Sequence, residues 1–242
     1  MQPLLDIINT NTTFVAAHRG ASGAFKENTL PAFQGAIDIG ADFVELDVQW
    51  TKDGHILVHH DDRINGCEKL ISEMDYSDIL RNAPYVPLLS QIFELMNNKC
   101  YIIIELKPFF SEQNKQYIDT ILQQIVTANC QQSTVIAAMD IETLTYCKLL
   151  NPQIHTAAIY TPYIKQLSEV QQISKCDAII CSVSELSDTL CNDANQNGLF
   201  IGVYDANSED DILSCLNYPV KVIGTDFPEN AIRIVSNHQI NK

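Results

Sequence analysis

From Phe14 to its C-terminus the chain alternates short runs of β-forming apolar residues with stretches of helical periodicity, which leaves few folds open. The predicted strands are Phe14–His18, Asp42–Val48, Tyr101–Lys107, Thr134–Ala138, Ile154–Tyr160, Ala178–Ser182, Leu199–Tyr204 and Val220–Ile223. A helix is predicted after each. The first starts at Asn28-Thr29-Leu30-Pro31, a capping side chain followed by a first-turn proline, and ends at Gly40. The later ones run over Leu89–Met96, Tyr117–Thr127, Ile141–Leu150, Ile164–Ile173, Glu185–Asn195, Glu209–Leu216 and Asn230–Val235. Regular βα alternation calls for a parallel sheet, and eight units in 242 residues fit an α/β fold closed as a (β/α)8 TIM barrel. A doubly wound open sheet needs no eighth unit, and no GxGxxG opens a helix here. Lys52-Asp53-Gly54 marks a turn between Val48-Gln49-Trp50 and Ile56-Leu57-Val58, a β excursion, and Asp61–Pro87 reads as an insertion over one end. Nothing reads as a linker, so residues 1–242 are expected to form one domain.

Apolar residues make up 46% of the chain, enough for a sizeable core. A net charge of −15 argues against nucleic acid and anionic membrane surfaces as partners, without excluding an anionic substrate at a locally basic site. The eight cysteines form no CxxC pair and several lie in apolar runs, so buried free thiols of a reducing compartment are expected. Met1–Phe14 lacks a basic start followed by a long apolar run, and no apolar stretch approaches the roughly 18 residues of a membrane span. A cytoplasmic protein without signal peptide or transmembrane segment is the expectation. Oligomeric state is not encoded in any pattern of the sequence.

The chemistry concentrates where strands end. Along Asp42–Val48, alternation puts Glu45 and Asp47 on one face with Phe43, and Val44, Leu46 and Val48 on the other. Tyr101–Lys107 repeats this design, with Ile103, Glu105 and Lys107 inward and Ile102, Ile104 and Leu106 toward the helices. Two like charges a pleat apart are costly to bury without a cation. Glu45, Asp47 and Glu105, inward on neighbouring strands, make a site for one hard divalent cation, Mg²⁺ or Ca²⁺. Arg19 and Lys107 add cations beside it, the combination a phosphate ester needs for attack. His18, ending the first strand, and His60, in His59-His60-Asp61, can move protons near neutral pH.

These residues fall into an ordered set of motifs that resembles the glycerophosphodiester phosphodiesterase family over nearly the whole chain. The set comprises His18-Arg19-Gly20, Glu27-Asn28-Thr29, Ala32-Phe33, Gly40-Ala41-Asp42, Glu45-x-Asp47-Val48, Thr51-Lys52-Asp53-Gly54, Val58-x-His60-Asp61, Glu105-x-Lys107 and Thr225-Asp226-Phe227-Pro228. The resemblance implies a (β/α)8 barrel with an insertion at about 49–87 in the second unit. It implies Glu45, Asp47 and Glu105 as metal ligands, His18 and His60 as the acid/base pair, and Arg19 and Lys107 as phosphate contacts. Glu27 would support the metal or a substrate hydroxyl, and Tyr204 would line the substrate mouth. The implied reaction turns a small-molecule glycerophosphodiester, such as glycerophosphocholine or glycerophosphoethanolamine, into sn-glycerol 3-phosphate and an alcohol through a cyclic phosphate.

Lys26 stands where the family usually has proline, Tyr204-Asp205-Ala206-Asn207 where it has Trp-Thr-Val-Asn, and Ala138-Met139 where it has Ser-Phe. These changes bear on the alcohol side of the mouth, and Asp205 predicts a preference for cationic head groups. Two other readings fit the same site: a lysophospholipase D-type enzyme and a non-catalytic phosphodiester-binding barrel. The first needs an apolar entry, for which the insertion offers Ile64, Leu70, Ile71 and Met74; the second would be expected to have lost a metal ligand or a histidine.

Overall fold

The computed structural model describes residues 2–97, 99–107, 111, 114–161 and 166–240. A short helix α1 (Leu4–Ile8) precedes β1 (Phe14–Ala17), α2 (Leu30–Ile39) and β2 (Phe43–Trp50). Strand β3 (Ile56–Val58), α3 (Tyr76–Asn82) and α4 (Leu89–Met96) follow. Regular alternation then sets in: β4 (Tyr101–Leu106), α5 (Lys115–Thr127), β5 (Thr134–Ala138), α6 (Ile141–Leu150), β6 (His155–Ile159) and α7 (Leu167–Ser174). The last units are β7 (Ala178–Ser182), α8 (Asp188–Gln196), β8 (Phe200–Tyr204), α9 (Glu209–Cys215), β9 (Val220–Thr225) and α10 (Pro228–Ile240).

Strands run in the order β1-β9-β8-β7-β6-β5-β4-β2-β3, and a β1–β2 pairing closes the ring into a barrel of parallel strands. Among the described strands only β3 is antiparallel, appended to β2 by the turn at Lys52-Asp53-Gly54. Register then decides which residues meet. Asp47 pairs with Glu105 directly across β2 and β4, and Ala16 pairs with Phe43 across the closure.

The two faces of each strand divide as the alternation predicts. Val44, Leu46, Val48, Ile102, Ile104 and Leu106 are buried between barrel and helices. Phe43, Tyr101, Ile103, Ala157 and Ile159 form a second cluster inside the barrel. Helix starts follow side-chain chemistry: Thr29 caps α2 by accepting from Ala32 N, Asp140 caps α6 at 2.8 Å from Thr143 N, and Ser208 and Asp211 form a reciprocal box at α9. All eight cysteines are free, and all but Cys67 are buried.

Some boundaries differ from the sequence reading. Ser187 accepts from Leu190 N and starts α8 at Asp188, so Glu185, predicted as the start of that helix, closes the 3-10 turn Val183–Glu185 instead. Helix α7 begins at Leu167; Ile164 and Lys165, predicted as its start, lie outside the described residues. Within the predicted start Asn28-Thr29-Leu30-Pro31, Thr29 is the cap of α2 and Asn28 makes another contact. Helix α1 had no periodic signal, being five residues long. It closes the N-terminal end of the barrel, where Leu4 joins the interior cluster and Tyr101 Oη donates to Gln2 O at 3.0 Å. The stretch after β3 builds a core of its own from Leu57, Ile64, Ile71, Met74, Ile79 and Val86.

Candidate active site

The C-terminal ends of β1, β2 and β4 deliver the charged groups to one rim. After β1 the backbone turns sharply: Arg19 has φ +54° and Gly20 φ +82°. A non-glycine residue in the left-handed region is costly and survives where its neighbours hold it. Here the turn aims Arg19 N at Glu45 Oε2, 3.0 Å away, while its guanidinium reaches both oxygens of Glu27 at 3.1 and 3.0 Å. Arg19 Nε also lies 3.1 Å from Asp47 Oδ2. Gly20 is required twice over, because a Cβ there would sit 2.7 Å from the carbonyl carbon of Ala32.

Asp47 is 1% exposed and its neighbours are arranged around that burial. Asn28, itself left-handed at φ +55°, donates from Nδ2 to Asp47 Oδ2 at 2.8 Å. Lys107 Nζ bridges Asp47 Oδ1 at 2.8 Å and Glu105 Oε1 at 2.7 Å. Burial alone would raise Asp47, but Lys107, Arg19 and Asn28 outweigh it and hold the carboxyl below the usual range. Burial likewise pulls Lys107 down, and Asp47 and Glu105 more than reverse it.

Glu45 is the group the protein leaves in deficit. Burial, then the charges of Asp47 and Glu105, push it up to about 8 despite His18 nearby. One oxygen from each of Glu45, Asp47 and Glu105 lies within 4.8 Å of the others. An all-oxygen donor set with a surplus of buried negative charge fits a hard divalent cation, and these three residues are the ones that could hold it.

His18 and His60 are each oriented by a carboxylate. His18 Nδ1 is 2.7 Å from Asp226 Oδ1, and its Nε2 is 3.9 Å from Glu45 Oε2. Burial lowers His18, but the hydrogen bond to Asp226 and the charge of Glu45 leave it above its ordinary value. Asp226 is held by Ser22 Oγ at 2.9 Å and by Asn207 Nδ2 at 2.9 Å. His60 Nδ1 is 2.7 Å from Asp61 Oδ1. Its turn is fastened to the top of β2, because His59 N donates to Asp47 O and Gln49 Nε2 donates to His60 O. With Nδ1 taken by a carboxylate, Nε2 is the nitrogen each ring can offer to a reacting oxygen.

Tyr204 ends β8, half-exposed, with Asp205 beyond it at φ +62°. Burial, then Glu185 and Asp205, raise its phenol. Lys26 sits 3.2 Å above the Tyr85 ring centroid, tying the β1–α2 loop to the segment before α4.

The site thus gathers Arg19, Glu27, Glu45, Asp47, Glu105 and Lys107 into one contact network, with His18 joined through Glu45. His60 and Tyr204 stand on the same barrel face, and among the described residues no hydrogen bond or ion pair links them to those groups. Asn28, Asp226, Ser22 and Asn207 were not singled out as site residues. Asn28 and Asp226 lay inside quoted motifs, and unassigned polar motif residues were the signal for them.

The glycerophosphoryl diester phosphodiesterase family model matches residues 18–230. A glycerophosphodiester phosphodiesterase of Bacillus altitudinis is 29% identical, the match covering 92% of this chain and 98% of that one. The fold aligns with a Silicibacter pomeroyi crystal structure at TM-score 0.87 and 21% identity, over 97% of both chains. It also aligns with an Oleispira antarctica phosphodiesterase in complex with the product sn-glycerol-3-phosphate, at TM-score 0.83 and 21% identity, over 93% of this chain and 97% of that one.

Proposed function

Because the chain belongs to the glycerophosphoryl diester phosphodiesterase family, we propose that it hydrolyses glycerophosphodiesters such as glycerophosphocholine and glycerophosphoethanolamine to sn-glycerol 3-phosphate and the free alcohol. The observation that carries this reading is the buried carboxylate set Glu45, Asp47 and Glu105, flanked by Arg19 and Lys107, beneath His18 with its carboxylate partner.

In this reading Glu45, Asp47 and Glu105 hold one Mg²⁺ or Ca²⁺, which when bound polarises the phosphoryl group as a Lewis acid. Arg19 and Lys107 neutralise charge that grows on the phosphoryl oxygens during attack. One of His18 and His60 accepts the proton of the glycerol 2-hydroxyl as that oxygen closes on phosphorus. The other donates a proton to the departing alcohol. The resulting cyclic phosphate is opened by water with the two proton transfers reversed. Asp226 and Asp61 keep each ring's Nε2 available for these transfers, and Glu27 fixes the Arg19 guanidinium.

The alcohol end would lie against Tyr204, whose neighbours Glu185 and Asp205 are both acidic, so a cationic head group is favoured over a neutral one. The apolar residues once available for a lipid entry support this smaller substrate, since Ile64, Ile71 and Met74 are consumed by the core after β3. We read residues 1–242 as one domain with the segment at about 49–87 as its insertion, and the free cysteines favour a cytoplasmic location. Among the described residues no helix is long and apolar enough to cross a membrane.

The deciding experiment is release of glycerol 3-phosphate from glycerophosphocholine with Mg²⁺, with Ca²⁺ and after chelation, alongside His18→Ala and Glu45→Ala. Metal-dependent turnover lost in both variants supports the reading. Absence of turnover on any glycerophosphodiester by the folded protein, with turnover on a lysophospholipid, would replace it by the lipid substrate.

A further inference from the structure

Below the catalytic rim the barrel is incompletely filled. Inward positions of a (β/α)8 barrel are ordinarily packed in layers by bulky branched side chains. Here Ala16, Ala157 and Ala178 occupy such positions on β1, β6 and β7, and β8 and β9 contribute Gly202 and Gly224. Phe43 and Ile103 on the opposite wall do not reach across, and a cavity of about 100 Å³ remains. Its upper end is bounded by His18, Glu45 and Tyr204, and its lower end by Leu4 and Ile8 of α1 and by His155.

His155 is out of place in such a lining. It opens β6, is 6% exposed, and its Nε2 is buried without a hydrogen-bond partner among the described residues. The nearest carboxylate does not serve it. Asp177 Oδ2 is 4.0 Å from His155 Nδ1, and that oxygen already accepts from Lys148 Nζ and Thr156 N, each at 2.8 Å. Thr156, the next residue, also borders the cavity, and its Oγ1 too is buried without a hydrogen-bond partner among the described residues. A buried acceptor or donor facing a largely apolar void is costly to leave unmade. An apolar body fits the rest of the wall better than water does, because a buried water needs two to four polar partners and largely apolar cavities of this order take up apolar guests.

We propose that the lumen is a binding site for a small neutral amphiphile: an aromatic or short aliphatic body filling the void, with one hydroxyl hydrogen-bonded to His155 Nε2. A charged guest is disfavoured, since the wall of the void is largely apolar and would compensate little of its desolvation. The way in is past α1, which has five residues and no side-chain cap, and whose Leu5 is both part of the lining and 44% exposed. A helix that short has little stability of its own and is held mainly by the contacts it makes. The binding does not depend on which phosphodiester the enzyme cleaves.

Phenol and benzene differ by the one hydroxyl at issue, and each can be titrated into the whole chain by calorimetry and by thermal shift. Phenol is expected to bind and raise the melting temperature, with an affinity about three- to tenfold above that of benzene, the range one net hydrogen bond supplies. His155→Phe keeps the bulk and removes the nitrogen, so it should abolish the preference for phenol while benzene still binds. If that variant does not fold, Ala157→Leu fills the lumen with His155 in place and should abolish binding of both. No binding of phenol to the unmodified chain, equal affinities for the two compounds, or a preference that survives His155→Phe would each overturn the proposal, as would phenol binding undiminished by Ala157→Leu.

Discussion

His18 Nδ1 and Asp226 Oδ1 lie 2.7 Å apart although 208 positions separate them. Barrel closure makes this possible. Strands β1 and β9 pair in register from Phe14↔Val222 to Ala17↔Thr225, so the residues just beyond each strand meet. Ser22, in the same loop as His18, and Asn207, in the loop after β8, then fix the carboxylate. Asp226→Asn should therefore leave the fold intact and KM little changed, while kcat falls on the order of 10²–10⁴-fold, the range of a misoriented acid/base histidine. Steady-state kinetics on glycerophosphocholine, with circular dichroism of the variant, checks this; a rise in KM at constant kcat would move Asp226 from positioning the ring to binding substrate.

The clustered charge of Glu45, Asp47 and Glu105 predicts a stability response to divalent cations that needs no substrate. A ligand present at about 100 times its Kd stabilises by about 2.7 kcal/mol. For a chain of this size that is a rise of roughly 5–10 °C in melting temperature. Mg²⁺ or Ca²⁺ should produce it, EDTA should remove it, and Glu105→Gln should blunt it. A melting temperature indifferent to both ions would mean that Lys107 alone satisfies the cluster.

The acidic surroundings of Tyr204 predict how head groups are ranked. Asp205→Thr removes one charge beside the phenol and should lower the ratio of kcat/KM for glycerophosphocholine over glycerophosphoinositol by roughly three- to tenfold. The glycerol 3-phosphate half is untouched, so glycerophosphoinositol turnover should hardly move. Equal losses on both substrates would show instead that the left-handed turn at Asp205, φ +62°, needs an acidic or amide residue for its shape.

The turn that carries His18 and Arg19 is a local weak point. Gly20→Ala places a Cβ 2.7 Å from backbone of Ala32 at φ +82°, and backbone cannot swing aside as a side chain would. A loss of at least about 1–3 kcal/mol is expected from the strained backbone alone, measured by chemical denaturation. Activity of the folded fraction should fall as well, because Arg19 N and the guanidinium both lose their aim at Glu45 and Glu27.

Most of the architecture was legible because alternation is a local signal: Val44, Leu46 and Val48 against Glu45 and Asp47 already state which face is buried, and Ile102, Ile104 and Leu106 repeat it. The grouping of Glu45, Asp47 and Glu105 followed from the same parity. What stayed hidden depended on chain closure or on a choice between two local roles. Asp226 has no visible reason to serve His18 until β9 pairs with β1. Asn28 and Thr29 are both able to cap a helix, and only the three-dimensional arrangement assigns Thr29 to the cap and Asn28 to Asp47. Helix α1 is too short for periodicity to register, and its role comes from the open barrel end it covers. The void in the lumen is likewise a sum over eight strands, none of which is unusual alone.

His155 also sets a pH dependence of stability. Burial holds its ring below the ordinary value of 6.5; the charge of Asp177 opposes this, and that of Lys148 adds to it. Below about pH 6.5 the unfolded chain takes up a proton that the folded chain resists, so the stability present above that pH is lost as pH falls through the folded value. His18 works in the opposite sense: its raised value gives stability that is complete below 6.5 and lost as pH rises through the folded value. His155→Gln keeps a neutral polar group at the base of the barrel and leaves His18 unchanged. The difference between wild type and variant therefore isolates one ring. Melting temperatures measured from pH 7.5 down to 5 should fall more steeply for the wild type than for His155→Gln, with the two curves closest in shape above pH 7. Parallel curves over the whole range would mean that His155 titrates as it does in the unfolded chain, and that a partner reaches its Nε2 in solution.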